Sequence, residues 1–470
     1  MSYQVPQHIA DSKIFLTNFS EVQGGRLDPK LSLYNRKIQH FAFPKVKLKT
    51  LLKKSPQYGA NEAGIPRINK EDPRYIRITD IDENGFIPVN ELGATSEKVE
   101  DKYILNEDDI LFARSGATVG KTYIHKNLSY KCFFAGYLIR FVINSQLAIP
   151  DYVFLYTQLA IYKEWVNAIQ RPSGQPNINA EEYLSLEIPL PDIKVQKELV
   201  NIYKLAIREK QQKEEQADAL LQSIDDYLLG ELGIQLPEAK SQTIQDRMFV
   251  MNYSEVNGDR LDAEYNNPHK HGVITAALKS AKYSKASLTF VAKDIFQGVG
   301  KDETDDSTYV LLKVKNILRG NMIDYSDVEF VKSVPQNKLL LRNDIISPFI
   351  GEAVRQIKFS LFDKDEYKYT VDNNTGVIRL KESVNAQYVC EYLCSCLGKM
   401  QIERLIGGGG VPFLGTSGAK KLNIVIPPLQ KQQEIVDHIS SIRQQAKALQ
   451  EEGKTILEQA KKEVEHMILG

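Results

Sequence analysis

Two short stretches decide how this chain folds: Gln196–Val200 reads Gln-Lys-Glu-Leu-Val, and Gln432–Val436 reads Gln-Gln-Glu-Ile-Val, 236 residues later. Each stretch follows a short proline-containing run, at Ile188–Pro191 and at Ile426–Pro428. Because proline interrupts regular backbone hydrogen bonding, both runs mark a change of structure. The residues that follow have the spacing of a long helix. The same boundary between a mixed region and a helix therefore occurs twice.

Further repeated segments extend this similarity over the whole chain. Phe19–Asp28 shares its Ser-Glu-Val and Arg-Leu-Asp with Tyr253–Asp262 at an offset of 234, and Asp109–Gly116 shares Asp-Ile and Gly with Asp344–Gly351 at an offset of 235. The offset is close to half of the 470 residues, which indicates an internal duplication. A unit of this length folds as a domain by itself, which excludes a solenoid of short repeats.

The segment after each proline run predicts a coiled-coil helix. The positions that would face a partner recur at alternating steps of four and three, which is the spacing of a coiled-coil seam. The first seam is Leu199, Tyr203, Ala206, Lys210, Lys213, Ala217, Leu220, Ile224 and Tyr227. The second is Ile435, Ile439, Ile442, Ala446, Leu449, Gly453, Ile456, Ala460 and Glu463. The duplication favours pairing of the two helices within one chain, and a dimerisation coiled coil is the alternative.

The regions before the long helices predict two mixed domains. In Tyr75–Ile81, polar residues alternate with apolar or β-branched ones, as in a half-buried strand. Other strands are expected at 110–112, 137–143, 310–314 and 376–380. One helix is expected at 151–169 and another at 386–405. The predicted fold class is α+β, with two tandem α/β domains separated by two long helices that pair as an antiparallel coiled coil with pseudo-twofold symmetry. The predicted boundaries are 1–190 and 253–427 for the domains, 191–235 and 428–470 for the helices, and 236–252 for a linker.

The composition is that of an ordinary globular protein. Its 60 Lys and Arg residues balance 60 Asp and Glu residues, which excludes a chain that binds nucleic acid by being basic throughout. A local basic groove stays possible. The four cysteines, Cys132, Cys390, Cys394 and Cys396, are too few for a disulfide framework and are expected to be buried thiols in a reducing cytoplasm. No stretch is apolar enough to span a bilayer, so we expect a cytoplasmic protein with no membrane partner.

Two similar domains on a long spacer suit a ligand that is gripped at two separated places, such as DNA. A basic stretch in the first copy supports this hypothesis, since nine cations from Arg26 to Lys54 are opposed only by Asp28. Cations of this kind contact phosphates. The alternative is a solvated charged face. The candidate DNA-binding residues in this stretch are Arg36, Lys37, Lys45 and Lys47.

A glycine-containing stretch, Gly116–Thr122, differs from a phosphate loop because three residues, not four, separate its glycines. The matching Gly351–Gln356 lacks the second glycine and the lysine, so nucleotide hydrolysis is not expected. Both copies instead predict a strand that ends in a tight turn. The candidate DNA-binding residues on these turns are Arg114, Ser115, Thr118 and Lys121 in the first copy, and Arg355 and Gln356 in the second. No catalytic or metal-binding motif is found, so no catalytic residue and no metal site are predicted.

Three segments in this order, Ile110–Lys121, Ser173–Gln175 and Ile188–Val200, resemble the DNA-specificity (S) subunits of type I restriction-modification systems. The resemblance covers nearly the whole chain, because that family has two target-recognition domains, each followed by a long helix. It implies that each domain reads one half of a bipartite, asymmetric site in double-stranded DNA, and it adds Gln175 to the candidate DNA-binding residues. It also implies that the helices set the spacing and dock two modification subunits, through Leu199, Tyr203, Leu220, Ile224, Ile435, Ile439, Ile442, Leu449 and Ile456.

The same resemblance implies that the chain itself is not an enzyme and holds no cofactor. S-adenosylmethionine for adenine-N6 methylation would belong to the modification subunits, and ATP and Mg²⁺ to restriction subunits. The second copy departs from the first where Phe349-Ile350 replaces Arg114-Ser115, so the two domains are expected to read different bases. The competing hypothesis is a coiled-coil scaffold that bridges other proteins without DNA readout. Salt-sensitive binding of duplex DNA distinguishes the two.

Overall fold

Two compact units make up the chain: unit 1 is Met1–Glu214 with Gln450–Gly470, and unit 2 is Glu215–Leu449. The computed structural model describes residues 28–38, 41–88, 91–126, 128–170, 176–237, 248–250, 252, 260, 262–300, 308–318, 322–366, 368–407 and 410–470. Each unit holds one copy of the mixed region together with one half of each long helix.

The strands of unit 1 are short. Those in the described residues are β1 (Lys45–Lys47), β2 (Gln57–Tyr58), β3 (Ile65–Pro66), β4 (Arg74–Ile76), β5 (Ala94–Thr95), β6 (Ile110–Ala113), β7 (Thr122–Ile124), β8 (Cys132–Phe134), β9 (Leu138–Phe141) and β10 (Glu187–Pro189). They form two four-stranded sheets, in the orders β2-β9-β6-β7 and β3-β5-β4-β8, and the pair β1-β10. The α-helices among its described residues are α1 (Pro29–Lys37), α2 (Pro150–Tyr156), α3 (Ala160–Ile169), α4 (Ala180–Leu184) and the long helix α5 (Ile193–Leu232).

The strands of unit 2 that the structure describes are β11 (Lys285–Ser287), β12 (Ala292–Gln297), β13 (Tyr309–Leu312), β14 (Ile317–Leu318), β15 (Met322–Ile323), β16 (Glu329–Val331), β17 (Ile345–Pro348), β18 (Ser360–Leu361), β19 (Tyr369–Val371), β20 (Thr375–Leu380) and β21 (Asn423–Val425). The α-helices that the structure describes in this unit are α6 (Ala263–Asn266), α7 (Pro268–Ser280), α8 (Leu288–Val291), α9 (Ala386–Cys394), α10 (Cys396–Leu405), α11 (Gly415–Lys420) and the long helix α12 (Leu429–Leu469).

The two units repeat the same strand connections. The antiparallel sheet β2-β9-β6-β7 corresponds to β12-β20-β17-β18, the parallel pair β4-β8 to β13-β19, and the pair β1-β10 to β11-β21. In each unit, fully buried apolar strands such as β6 and β17 pack against the short helices that precede the long one. The predicted α+β class with a duplicated domain is confirmed.

A buried glutamine joins each long helix to its mixed region. Gln196 accepts a hydrogen bond from the Ile149 N–H at 2.8 Å and donates to the Pro191 carbonyl at 2.9 Å. Gln432 accepts from the Asn385 N–H at 2.9 Å and donates to the Pro427 carbonyl at 2.8 Å. Burying an amide is tolerated only when its donors and acceptors are paired. This pairing explains why the two stretches begin with the same residue.

Within unit 1 the two long helices run antiparallel. The Lys213 ammonium lies 3.0 Å from the carboxylate of Glu452, and the backbone of Lys210 packs against Gly453. Higher residue numbers on α5 therefore meet lower numbers on α12. At Gly453 a Cβ atom would lie 3.3 Å from the Lys210 Cα, so the small residue allows a close approach of the two backbones.

Within unit 2 the pairing has the same direction. The Lys431 ammonium lies 2.5 Å from the carboxylate of Glu231, and the rings of Tyr227 and His438 have centroids 4.0 Å apart. Of the predicted seam residues, Leu199, Tyr203, Ile435, Ile439 and Ile442 are buried, and Leu220, Ile224, Leu449 and Ile456 are half-buried.

The predicted seam is wrong at its last position. Glu463 is exposed, and its neighbour Val464 is buried in the core of unit 1 beside Ile468. A straight α-helix has 3.6 residues per turn, so a strict 3.5-residue repeat drifts around its surface within a few turns. The buried apolar residues keep the period of the helix, whereas the predicted seam kept a 3.5-residue repeat to its end.

Three further predictions differ from the structure. The single helices expected at 151–169 and 386–405 are each broken in two, the second at Ser395, whose hydroxyl accepts a hydrogen bond from the Gly398 N–H and starts a new helix. The strand expected at 75–81 ends at Ile76 and continues as a turn of 3₁₀ helix at Ile78–Asp80. The Asp80 carboxylate accepts from the Arg77 N–H and closes that turn.

Cys132 and Cys390 are buried, and Cys394 and Cys396 are half-buried. Burial raises the pKa of the Cys132 thiol to about 11, which keeps it protonated at neutral pH. Across the residues that the structure describes, no helix has both the length and the apolar character that a membrane crossing requires.

Candidate nucleic-acid interface

In unit 1 the turn between β6 and β7 lies at the end of the buried sheet. The turn contains Gly116 with φ 82° and Gly120 with φ 87°, the left-handed region that favours glycine. At Gly120 a Cβ atom would also lie 2.6 Å from the Val166 side chain, so the helix beneath leaves no room for a larger residue. The tight turn predicted from the sequence is confirmed.

Backbone hydrogen bonds hold this turn against two neighbouring loops. The Gly116 N–H donates to the Pro176 carbonyl at 3.0 Å, and the Ile178 N–H donates to the Arg114 carbonyl at 2.9 Å. The Arg114 N–H donates to the Tyr137 carbonyl at 2.9 Å. Three separate segments thus present their side chains from one rigid arrangement, which we call the turn frame of unit 1.

Unit 2 has the same frame. The Gly351 N–H donates to the Pro412 carbonyl at 2.9 Å, the Leu414 N–H donates to the Phe349 carbonyl at 2.9 Å, and the Phe349 N–H donates to the Asn374 carbonyl at 2.8 Å. Gly351 has φ 92°, like its counterpart Gly116. The backbone of this surface has therefore been kept in both copies of the duplication.

A buried ion pair supports each frame from below. Asp109 lies 3.3 Å from the Arg140 guanidinium in unit 1, and Asp344 lies 2.6 Å from that of Arg379 in unit 2. Burial raises the pKa of Asp344 above its ordinary value, although the hydrogen bonds from Arg379 act in the opposite direction. The residue before each aspartate has a positive φ, 68° at Asp108 and 73° at Asn343, so the two turns that enter β6 and β17 are alike.

The side chains presented by the two frames differ. In unit 1, Tyr137 is 66% exposed and Tyr58 is 40% exposed, and the guanidinium carbon of Arg114 lies 4.9 Å from the centre of the Tyr58 ring. The Arg114 Nε is buried and has no hydrogen-bond partner among the described residues. Arginine stacked on an aromatic ring keeps its orientation and can still donate to a ligand.

At the corresponding positions of unit 2 the side chains are amides and phenylalanines. Asn374 is exposed in place of Tyr137, buried Phe349 replaces Arg114, and half-buried Gln297 replaces Tyr58. Tyr58 and Gln297 correspond because each precedes a glycine, Gly59 or Gly298, at which a Cβ atom would overlap a neighbouring carbonyl.

The turn residues predicted from the sequence lie on the two frames, but some of them bond to other residues of the protein and others are exposed. In unit 1, Ser115 pairs with Asn177 across the frame, and the Lys121 ammonium donates to the Ile81 carbonyl at 2.7 Å and so holds the turn in place. The carbonyl of Thr118 accepts from the Lys121 N–H at 3.1 Å. In unit 2, Gln356 is exposed, and Arg355 is exposed with its Nε 3.6 Å from the Glu352 carboxylate. Gln175 lies outside the described residues.

Of the candidates in the predicted basic stretch, Arg36 and Lys37 lie on α1 and Lys45 and Lys47 on β1, and neither element is part of the frame. Lys37 pairs with Glu164 at 2.7 Å and Lys45 with Glu187 at 3.0 Å, so their charges are already partly balanced. Arg36 is half-buried, and Lys47 is exposed. The structure therefore places Arg114, Ser115, Thr118 and Lys121 on the turn between β6 and β7, and the basic group on other elements.

Sequence reasoning missed Tyr58, Tyr137, Gln297 and Asn374. Tyr137 was placed only at the start of an expected strand at 137–143, and Tyr58, Gln297 and Asn374 were not singled out. For Tyr58 and Gln297, the available signal was their shared position before a glycine. Within the described part of the chain, no group of three His, Cys, Asp or Glu side chains is placed to hold a metal ion.

Comparison with known proteins gives a consistent set of similarities. The family described as type I restriction modification DNA specificity domain matches residues 63–219 and 300–459. The specificity subunit of the type I restriction enzyme MjaVIII from Methanocaldococcus jannaschii is 21% identical over 381 residues, which cover 78% of this chain and 79% of that protein.

Solved structures of low sequence identity also align with most of the chain. The HsdS subunit from Thermoanaerobacter tengcongensis is 12% identical, with a TM-score of 0.36 and coverage of 91% of this chain and 97% of that one. The S subunit of a type I system from M. genitalium is 12% identical, with a TM-score of 0.39 and coverage of 90% and 96%. A chain from a type I R-M system, solved to explain complex assembly and conformational transition, is 13% identical with a TM-score of 0.48, covering 91% and 96%.

Proposed function

Because this chain belongs to the family of type I restriction-modification DNA specificity domains, we propose that each of its two units reads one half of a bipartite, asymmetric DNA site. The chain is the DNA-recognition subunit of a type I restriction-modification system, and DNA and other subunits of that system are its partners. The specificity subunit recognises DNA and is not itself catalytic. A scaffold that only bridges proteins is not favoured, since the matched family is defined by DNA specificity.

One observation carries the proposal of two different half-sites: the same backbone frame occurs in both units and presents different side chains. If the frames of both units presented identical side chains, the two units would select identical half-sites. Here Arg114 and Tyr137 in unit 1 correspond to Phe349 and Asn374 in unit 2. Equivalent positions with different hydrogen-bonding groups favour different base sequences in the two halves.

The side chains also favour particular bases. Arginine pairs best with the O6 and N7 atoms of guanine, and asparagine with the N6 and N7 atoms of adenine, in the major groove. Arg114 has an unpaired buried donor and an aromatic ring to hold it, and Asn374 is exposed at the matching position. We therefore assign a guanine contact to unit 1 and an adenine contact to unit 2.

The long helices are assigned the spacing and docking functions. Gln196–Leu232 carries eight acidic and five basic residues, a balance that suits contact with protein better than with DNA. Two modification subunits would dock there, bringing S-adenosylmethionine for adenine-N6 methylation. Restriction subunits would bring ATP and Mg²⁺ for cleavage, and the complex would act in the cytoplasm, where the cell's DNA is accessible.

Methylome sequencing tests this function. A host that expresses the full chain with its modification subunits should carry methylated adenine in one bipartite motif with two unlike halves. Arg114→Ala should relax a position in one half only, and Asn374→Ala a position in the other, at a cost of about 1 to 3 kcal/mol per lost contact. Each variant is the control for the other. Methylation by the purified chain alone, or relaxation of both halves by one substitution, would contradict the proposal.

A further inference from the structure

A cationic cleft lies next to the turn frame in unit 2. Its volume is about 430 Å³, and its walls include Arg260, Tyr265, Phe413, Ser417 and Lys421. Phe413 connects the cleft to the frame, because it lines the cleft and lies between Pro412 and Leu414, whose backbones bond to Gly351 and Phe349 in the frame. It also forms a bridge with the residue before Gly351. A ligand in the cleft would therefore lie beside the side chains that face a base.

Three cations surround the Tyr265 ring at the back of the cleft. The guanidinium carbons of Arg260 and Arg404 lie 4.7 and 4.6 Å from the ring centre, and the Lys421 ammonium lies 5.8 Å from it. Among the described residues, only Arg260 has a carboxylate within ion-pair distance, that of Asp262 at 2.7 Å. The cluster therefore carries more positive than negative charge.

The cations differ in how their charged groups are held. Arg260 donates to the carbonyls of Leu405 and Ile406 at 2.8 and 3.0 Å, and these bonds together with that to Asp262 fix its guanidinium. Lys421 is exposed and makes no ion pair with any described residue, so its ammonium is available to a ligand. A fixed charge lowers the entropic cost of binding, and a free lysine supplies a point charge for a phosphate.

We propose that this cleft binds a backbone phosphate of the DNA half-site read by unit 2, with Lys421 as the phosphate contact and Arg260 as the positioning charge. The inference rests on the proposed function and adds to it the chemical group bound at this place. The residue 236 positions earlier is Ser185, so unit 1 has no lysine at the matching position. The contact is therefore specific to one half of the complex.

The salt dependence of DNA binding tests this proposal. Each phosphate contact contributes about 0.9 to the slope of log affinity against log salt. Lys421→Ala in the full chain, purified with its modification subunits, should therefore reduce that slope by about 0.9. The loss of affinity for a fluorescent random-sequence duplex between about 50 and 200 mM salt should become about 3.5-fold smaller. Lys420→Ala is the matched control, because Lys420 is also exposed and does not line the cleft.

The methylated motif is measured for the same variants. Lys421→Ala should weaken methylation at all sites alike and leave the motif unchanged, because a phosphate contact carries no base information. An unchanged slope, or the same decrease in both lysine variants, would overturn the phosphate site while the function stands. A changed motif would mean that Lys421 contacts a base and would also overturn it. A wild-type complex whose DNA binding does not depend on salt would instead refute the proposed function itself.

Discussion

Helices α3 and α10 occupy the same place in the two units and are started by different means. In unit 1, α3 has no side-chain cap of its own, and the Glu465 carboxylate of α12 accepts from the N–H groups of Ala160 and Ile161 at 3.2 and 3.0 Å. In unit 2, the Ser395 hydroxyl caps α10.

The Asp225 carboxylate of α5 also contacts α10, accepting from the Cys396 N–H at 3.2 Å. In both units, a carboxylate from the C-terminal half of a long helix therefore contacts the start of a short one. That long helix is α12 in unit 1 and α5 in unit 2. Unit 1 depends on that carboxylate, whereas unit 2 uses it in addition to a local cap. The position of this contact is the same in both units, but the start of α3 has no other side-chain cap and the start of α10 has Ser395 as well.

The buried ion pairs under the two frames should give the largest effects on stability. Arg140→Met and Arg379→Met each leave a buried aspartate without its partner, which costs about 3 to 5 kcal/mol of the free energy of unfolding. Arg140 also donates to the carbonyls of Ile104 and Lys102 at 2.8 and 3.0 Å, and Arg379 only to that of Leu339 at 2.8 Å. We therefore expect the greater loss in unit 1.

Urea denaturation measures both changes. Arg355→Met is the control, because Arg355 is exposed and its pairing with Glu352 is worth less than about 1 kcal/mol. Equal stability of all three variants and the wild type would show that the ion pairs do not hold the frames.

The pH dependence of the free energy of unfolding should be larger in unit 1 than in unit 2, because both units hold a histidine with a lowered pKa but His125 of unit 1 is buried and His271 of unit 2 is exposed. Burial lowers the pKa of His125 in unit 1 to about 4, against about 6.5 in an unfolded chain. Between these values the unfolded state binds a proton that the folded state does not. The free energy of unfolding of unit 1 should therefore fall by about 2 kcal/mol from pH 7 to pH 5. Its structural counterpart in unit 2 is Phe362, because the Phe362 N–H donates to the Asp344 carbonyl as the His125 N–H donates to the Asp109 carbonyl, both at 2.8 Å.

Trp165 provides a probe for this effect, because it is the sole tryptophan of the chain and is buried in the core of unit 1. Urea unfolding followed by its fluorescence should show the loss at pH 5, and His125→Gln should remove most of it. Glutamine can still bond to the Tyr123 hydroxyl, which lies 2.9 Å from the His125 Nδ1. A wild-type midpoint that does not change with pH would contradict the prediction.

The helix caps should give the smallest effects. Glu465→Gln should destabilise unit 1 by about 1 kcal/mol, because a charged acceptor for two N–H groups at a helix start is lost. Asp225→Asn should cost about 0.5 kcal/mol or less, since Ser395 remains and burial already raises the pKa of Asp225. Hydrogen exchange of the first turns of α3 and α10 measures the two changes. A larger effect at Asp225 would reverse the comparison drawn above.

Much of the architecture was predictable because local sequence patterns determine it. The repeated glutamine stretches, the seam positions Leu199 and Ile435, and the glycines of the two turns all follow from backbone rules and periodicity. These rules concern residues that are close in sequence, so they can be applied to one sequence without a structure.

The site was less predictable because it is assembled from distant segments. Nothing near Tyr58 or Asn374 shows that their loops meet a turn far along the chain. The lysine of the glycine-containing stretch, Lys121, was expected to face a ligand, and it bonds to the Ile81 carbonyl instead. The partners of a charged side chain are fixed by tertiary packing, which residue spacing does not reveal.

The division of the chain into units has a consequence for its synthesis. Unit 2 is one continuous stretch, Glu215–Leu449, and unit 1 needs a second piece, Gln450–Gly470. Leu457, Val464 and Ile468 from that piece belong to the core of unit 1. Domains fold as the ribosome releases them. The half of the molecule that is made first is therefore the last to close its core, and until then it exposes apolar surface to the chaperones of the cell.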